Sequence, residues 1–95
     1  MKIIYADAAK ADLEAISIWI AEENPARAHS FVAELATTCE SLQHFPESSP
    51  IVGQFHNDAV RRKIHGKYLI FYSMRDHQLE IVRVLHGAQD YSDLF

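Results

Sequence analysis

Five side chains in the second half of the sequence are of the types that phosphate chemistry uses: Arg61, Lys63, Arg83, His86 and Tyr91. An arginine or lysine can hold an RNA phosphate while a histidine or tyrosine beside it moves protons at a 2′-hydroxyl. The same residues also admit a purely structural assignment. Arg83 lies between Val82 and Val84 in an apolar run, where a charge is costly unless it is paired or sits in a groove; Asp90 or Glu80 would pair with it and leave Arg61 and Lys63 solvated. Strand geometry limits the grouping further. Successive side chains of a strand point to opposite faces, so Arg61, Lys63 and His65 share one face and Val60, Arg62 and Ile64 the other. Arg61 and Arg62 therefore do not serve one site together.

Other chemistries are excluded by spacing. The six histidines, at 29, 44, 56, 65, 77 and 86, never adopt the i, i+2 or i, i+4 spacing that brings two imidazoles onto one metal, so no metal site is expected. The three glycines, Gly53, Gly66 and Gly87, form neither a phosphate-cradling loop nor a dinucleotide fingerprint, and no serine sits in a GxSxG elbow. No cofactor is expected. The single cysteine, Cys39, excludes an intramolecular disulfide and a cysteine-rich zinc site; on the apolar stripe of a helix it is a packing residue. Lone-cysteine usage fits a reducing, cytoplasmic setting. Trp19, at the margin of another stripe, either completes the core or anchors a partner.

The elements that must position these residues follow from periodicity. Lys2 to Tyr5 is a short β-prone run leading to Asp7, a candidate N-cap. Ala9, Leu13, Ile16 and Ile20 recur at helical spacing up to Asn24-Pro25, which closes one helix and opens the next. Ala28, Phe31, Val32, Leu35, Cys39 and Leu42 carry the second helix to His44-Phe45-Pro46, and the pair forms a hairpin. Pro46 to Asp58, rich in proline, serine, glycine and asparagine, is expected as a loop. Val60 to Ile64 and Tyr68 to Met74 flank the Gly66-Lys67 turn, the second arm apolar enough to be a central strand. Arg75 to Gln78 turns into a last strand, Leu79 to Leu85, broken by His86-Gly87. The expected order is β-α-α-β-β-β, a helical hairpin on a small, mostly antiparallel sheet: an α+β fold.

Composition sets the outer bounds. Ninety-five residues, 48% hydrophobic and 23% charged, suit one domain over residues 1–95 that buries about two-thirds of its unfolded surface. Lys2, Asp7, Lys10, Asp12 and Glu14 interrupt the first twenty residues, so neither a secretion signal nor a membrane span is expected. The net charge is -4, yet Arg61, Arg62, Lys63 and Lys67 fall in seven residues without an acid. That balance opposes a broad nucleic-acid grip and direct sequence-specific binding.

Several motifs together resemble a known family. Asp12-Leu13 with Ile16, Asn24-Pro25-Ala26-Arg27-Ala28, Arg61-Arg62 with Tyr68-Leu69-Ile70-Phe71-Tyr72, Ile81-Val82-Arg83-Val84-Leu85-His86-Gly87 and the terminal Asp93-Leu94-Phe95 resemble the ParE branch of the RelE/ParE toxin superfamily over nearly the whole chain. Where members often carry His-Gly-Ala-Arg-Asp, this chain has His86-Gly87-Ala88-Gln89-Asp90. The resemblance implies the toxin of a type II toxin-antitoxin pair, with the β-α-α-β-β-β fold and an antitoxin that wraps and neutralises it in a hetero-oligomer. ParE-like members inhibit DNA gyrase, whereas RelE-like members cut messenger RNA on the ribosome. Net acidity favours the gyrase inhibitor, which needs a surface and no catalytic group, over a nuclease that must approach dense phosphate. A third possibility is a toxin-derived, non-toxic, plasmid-stabilising partner. For the target surface the expectation is Arg61, Arg62, Lys63, Arg83, His86 and the run from Tyr91 through Leu94 and Phe95; for a nuclease it is Arg61, Arg83, His86 and Tyr91. For the antitoxin, the apolar positions Ile18, Trp19 and Val32 are expected to receive an amphipathic segment.

Overall fold

Tyr68–Arg75 is the strand on which the rest is built: its residues from Tyr68 to Ser73 are all buried, as a continuous apolar run requires. The computed structural model describes residues 1–95. Its elements are β1 (Lys2–Tyr5), α1 (Asp7–Ala21), α2 (Pro25–Ser41), β2 (Ile51–Phe55), β3 (Asp58–His65), β4 (Tyr68–Arg75) and β5 (Gln78–His86). They form one five-stranded sheet in the order β1-β5-β4-β3-β2. β1 runs parallel to β5, and every other pair is antiparallel.

The sheet carries a separate apolar cluster on each face. Toward the helices, Tyr68, Ile70, Tyr72, Leu79, Ile81 and Val84 meet Ala9, Phe31, Leu35, Cys39 and Leu42. On the outer face, Val60, Leu69, Phe71 and Leu85 lie under Val52, Phe55, Tyr91 and Phe95. Each large side chain fully buried in this way contributes about 1.5–3 kcal/mol. Cys39 is wholly buried, and burial beside Tyr5 pushes its thiol up, as burial does the Tyr5 hydroxyl.

Several boundaries differ from the sequence expectation. Asp7 is not the N-cap of α1. Ala6 holds that position without a side-chain hydrogen bond, because its N–H completes the ladder to the Ile81 carbonyl (2.9 Å) and the chain enters the helix straight from β1. Asp7 instead sits in the first turn, where its charge meets the positive end of the helix. α1 stops at Ala21, three residues before Asn24, and the Glu22 N–H closes on the Ile18 carbonyl. α2 begins as expected: Pro25 is its first residue and the Asn24 side chain accepts from the Arg27 N–H at 3.1 Å. It ends at Ser41, before His44-Phe45-Pro46.

The expected loop from Pro46 to Asp58 contains β2, which pairs with β3 through Gly53↔Val60 and Gln54↔Ala59. A tight turn joins the two strands, with His56 and Asn57 both at positive φ (51° and 69°). Gly53 is needed for a different reason: a Cβ there would come within 2.4 Å of the Phe95 Cβ. The chain from Tyr91 to Phe95 thus crosses the outer face over a glycine.

Candidate functional site

The end of the sheet nearest the Gly66-Lys67 turn gathers aromatic and imidazole groups, the buried Phe31 and Tyr68 with the partly buried His65 and His86. Gly66 takes φ 58°, so β3 reverses into β4 with His65 opposite Tyr68, and Tyr68 in turn opposite His86 of β5. Phe31 from α2 packs on this row, its ring 4.9 Å from Tyr68 and 5.8 Å from His65, while the Tyr68 and His86 rings meet edge to face at 5.2 Å. His86 Nδ1 accepts from the Ala88 N–H at 3.1 Å. The ring proton of the neutral imidazole then lies on Nε2. Gln89 Oε1 accepts from the His86 N–H at 2.8 Å and folds the chain back over this corner.

Beside it, α1 presents Trp19, 66% exposed. Trp19, Ala15 and Ile16 form one wall of a depression of about 460 Å³ whose other wall is Tyr68, His86 and Gln89. Trp19 is therefore not a core residue. The residues expected to touch an antitoxin do not lie together: Val32 lines a separate hollow with Leu13, Leu35 and Ala36. Ile18, 57% exposed, lies about 100° around the helix from Trp19. Trp19 and His86, which the sequence assigned to different partners, share one depression.

The arginines are dispersed and already engaged. Arg83 makes a bidentate pair with Asp12 of α1, Nε to Oδ2 at 2.7 Å and Nη2 to Oδ1 at 2.9 Å. Neither Asp90 nor Glu80 is its partner. β5 holds an extra residue, Val82, between the Tyr72↔Ile81 and Phe71↔Arg83 pairs, and β1 has ended opposite Ile81; Asp12 occupies the edge left open, accepting also from the Val84 N–H at 3.0 Å. The hydrogen bonds from Arg83 to Asp12 raise the already high guanidinium pKa. Arg61 donates to the carbonyls of Glu47 and Ser49 at 3.0 and 2.7 Å, tying down the segment before β2. Arg62 donates to the Tyr91 hydroxyl at 2.8 Å on the outer face. Lys63 borders a hollow with His44 and Phe45. Leu94 is 40% exposed, whereas Phe95 packs 4.8 Å from the Phe71 ring. Arg61, Arg83, His86 and Tyr91 thus have separate partners on different parts of the sheet, and no three or more His, Cys, Asp or Glu side chains cluster as metal ligands.

Asp12, Phe31, Tyr68 and Gln89 were not among the candidate site residues. The break at His86-Gly87 and the turn at Gly66 are the signals that place Tyr68 and His86 at one end. Nothing local links Asp12 to Arg83, 71 residues on.

Against known proteins, residues 3–91 match the family described as "ParE toxin of type II toxin-antitoxin system, parDE". The chain is 28% identical over 88 residues to the protein named Toxin RelE2 of Caulobacter vibrioides, covering 93% of this chain and 97% of that protein. It superposes with a TM-score of 0.77 on a chain from the structure titled "Chromosomal ParDE TA system from P. aeruginosa", at 18% identity, covering 90% of this chain and 95% of the other. No helix is long and apolar enough to cross a membrane.

Proposed function

The chain belongs to the ParE toxin family of type II toxin-antitoxin systems, and from that membership we propose that it inhibits DNA gyrase by docking on it and is neutralised by a cognate antitoxin. The observation that carries this reading over RNA cleavage is the state of the arginines. All five are engaged within the chain: Arg27 with Glu34, Arg61 with two backbone carbonyls, Arg62 with Tyr91, Arg75 with Asp58, and Arg83 with Asp12. Phosphoryl chemistry needs a preorganised cation beside a proton-transfer group. Binding to a protein needs only complementary surface. The proposed target surface is the basic hairpin and the tail, with Arg61, Arg62, Lys63, Arg83, His86, Tyr91, Leu94 and Phe95.

The antitoxin contributes an amphipathic segment that covers Trp19 and reaches toward Ile18 and Val32. Because Trp19 and His86 share one depression, that segment also covers part of the proposed target surface, so antitoxin and gyrase compete. The likeness to the protein named Toxin RelE2 supports the second reading, ribosome-dependent messenger RNA cleavage.

Pulse-labelling after induction of this chain alone separates the two. Thymidine incorporation is expected to fall before methionine incorporation. Early loss of methionine incorporation, with cuts in the A-site codon that disappear in His86→Ala, would overturn the gyrase reading; undisturbed growth would leave a non-toxic binding partner. Replacing both Ile18 and Trp19 by alanine is expected to weaken antitoxin binding at least tenfold, and unchanged affinity would refute the docking position.

A further inference from the structure

The outer face of the sheet, away from both the helical hairpin and the Trp19 depression, carries a polar hollow that the proposed function does not use. It lies between the β2–β3 and β4–β5 turns and measures about 230 Å³. Its floor is a row across three strands: Ile4 of β1 opposite Glu80 of β5, and Glu80 opposite Ser73 of β4. Ser73 is the polar interruption in the apolar β4. It is 95% buried, at 5% relative exposure, and its hydroxyl has no hydrogen-bond partner within the chain while lining the hollow. Its oxygen is not sealed in, since the buried side-chain atom left without a partner is Arg62 Nε; it is open to a partner that enters the hollow. Glu80, half-buried beside it, forms neither an ion pair nor a hydrogen bond.

The walls define what fits. Arg75 and Asp58 pair at 3.0 Å and close one side, so three carboxylates, Asp58, Asp76 and Glu80, face a single guanidinium and leave two negative charges uncompensated. Phe55 and Ile4 supply an apolar lining. The volume is below the range of about 300–1,000 Å³ typical of small-molecule pockets and suits one inserted side chain. A planar, weakly hydrated guanidinium can meet a carboxylate in bidentate fashion while lying against an aromatic or aliphatic wall; a strongly hydrated ammonium gains less there.

We propose that this hollow receives an arginine side chain from a protein partner, its guanidinium held by the Glu80 carboxylate and the Ser73 hydroxyl. This recognition point lies outside the surfaces assigned to antitoxin and gyrase and stands whichever target the toxin has.

The test is a titration of the isotopically labelled full chain with the tripeptide acetyl-Gly-Arg-Gly-amide, followed by amide chemical shifts. Shifts are expected at Ile4, Ser73, Gln78 and Glu80, with Glu80→Gln weakening binding about fivefold, the magnitude of one partly exposed ion pair. Ser73→Ala, which removes only the hydroxyl, is expected to weaken it by a smaller factor. The citrulline tripeptide, equal in shape but neutral, is expected to leave the spectrum unchanged. The proposal is overturned by an absence of shifts at these residues, by equal binding of the citrulline or lysine counterpart, by an unaffected Glu80→Gln variant, or by shifts of equal size at the exposed Glu22 and Glu23.

Discussion

Asp12 does two jobs with one carboxylate, and the sum of its bonds fixes α1 against β5. It neutralises Arg83 through two hydrogen bonds and satisfies the Val84 N–H where β1 no longer can. Asp12→Asn is expected to destabilise the protein by about 2 kcal/mol in urea denaturation, since it leaves a partly buried guanidinium without its counter-charge. Removing the counter-charge as well, Asp12→Asn with Arg83→Met, keeps an acceptor for the Val84 N–H and is expected to recover most of that loss; equal loss in single and double variants would show that the pair is not what Asp12 contributes. Cys39 supplies a pH-dependent counterpart. Burial raises its folded-state pKa, so its stabilising contribution is complete below the unfolded thiol value of about 8.5 and is lost as the pH rises toward the folded value. The urea midpoint is expected to fall as the pH rises above about 8.5, and Cys39→Ala to flatten that fall. At this scale the sequence was legible where chemistry is local and opaque where it is not. Cys39 on its helical stripe declared itself as packing, whereas Arg83 suggested near neighbours, Asp90 or Glu80, because nothing local marks a partner on α1. Trp19 was ambiguous for a related reason: a residue at the margin of a stripe is assigned to core or surface by the neighbouring strand, not by its own helix.

The elements follow the sequence wherever a run is long or capped. The start of α2 at Asn24-Pro25 and the apolar run of β4 stand as expected, and Asn24→Ala is expected to cost about 1 kcal/mol through loss of the bond to the Arg27 N–H. β2 is hidden because five residues following two prolines and two serines show no usable alternation, and an edge strand packed by the tail needs none. Its identity is set by what it pairs with and what lies on it. Gly53 is the clearest case, since the nearest atom to its missing side chain belongs to Phe95. Gly53→Ala is therefore expected to displace Phe95 from Phe71. In a double-mutant cycle, Phe95→Ala should cost about 1–2 kcal/mol in the parent and little in the Gly53→Ala background. Additive losses would mean that the tail accommodates the methyl group without moving.

Across the whole molecule, one sheet separates two apolar clusters with unequal support. The helix-side cluster is closed by two helices joined in sequence, whereas the outer cluster is closed by β2 and a few side chains of the tail, among them Tyr91 and Phe95. That asymmetry predicts unequal local stability: amides of β4 and β5 should exchange only on global unfolding, and the tail amides through a smaller opening. It also offers a way to part folding from toxicity. A chain ending at Asp90 loses the Arg62 to Tyr91 bond and both aromatic contacts with Phe71, a loss of about 2–4 kcal/mol if the two rings are worth their burial. The helix-side core and the Trp19 depression contain nothing from the deleted residues. The shortened chain is therefore expected to keep its far-ultraviolet circular dichroism and its antitoxin affinity, to bind a dye specific for exposed apolar surface, and to lose its effect on DNA synthesis, because Leu94 and Phe95 belong to the proposed target surface. Retained toxicity in a folded, antitoxin-binding truncation would move the target surface off the tail and onto the corner formed by Tyr68, His86 and Trp19.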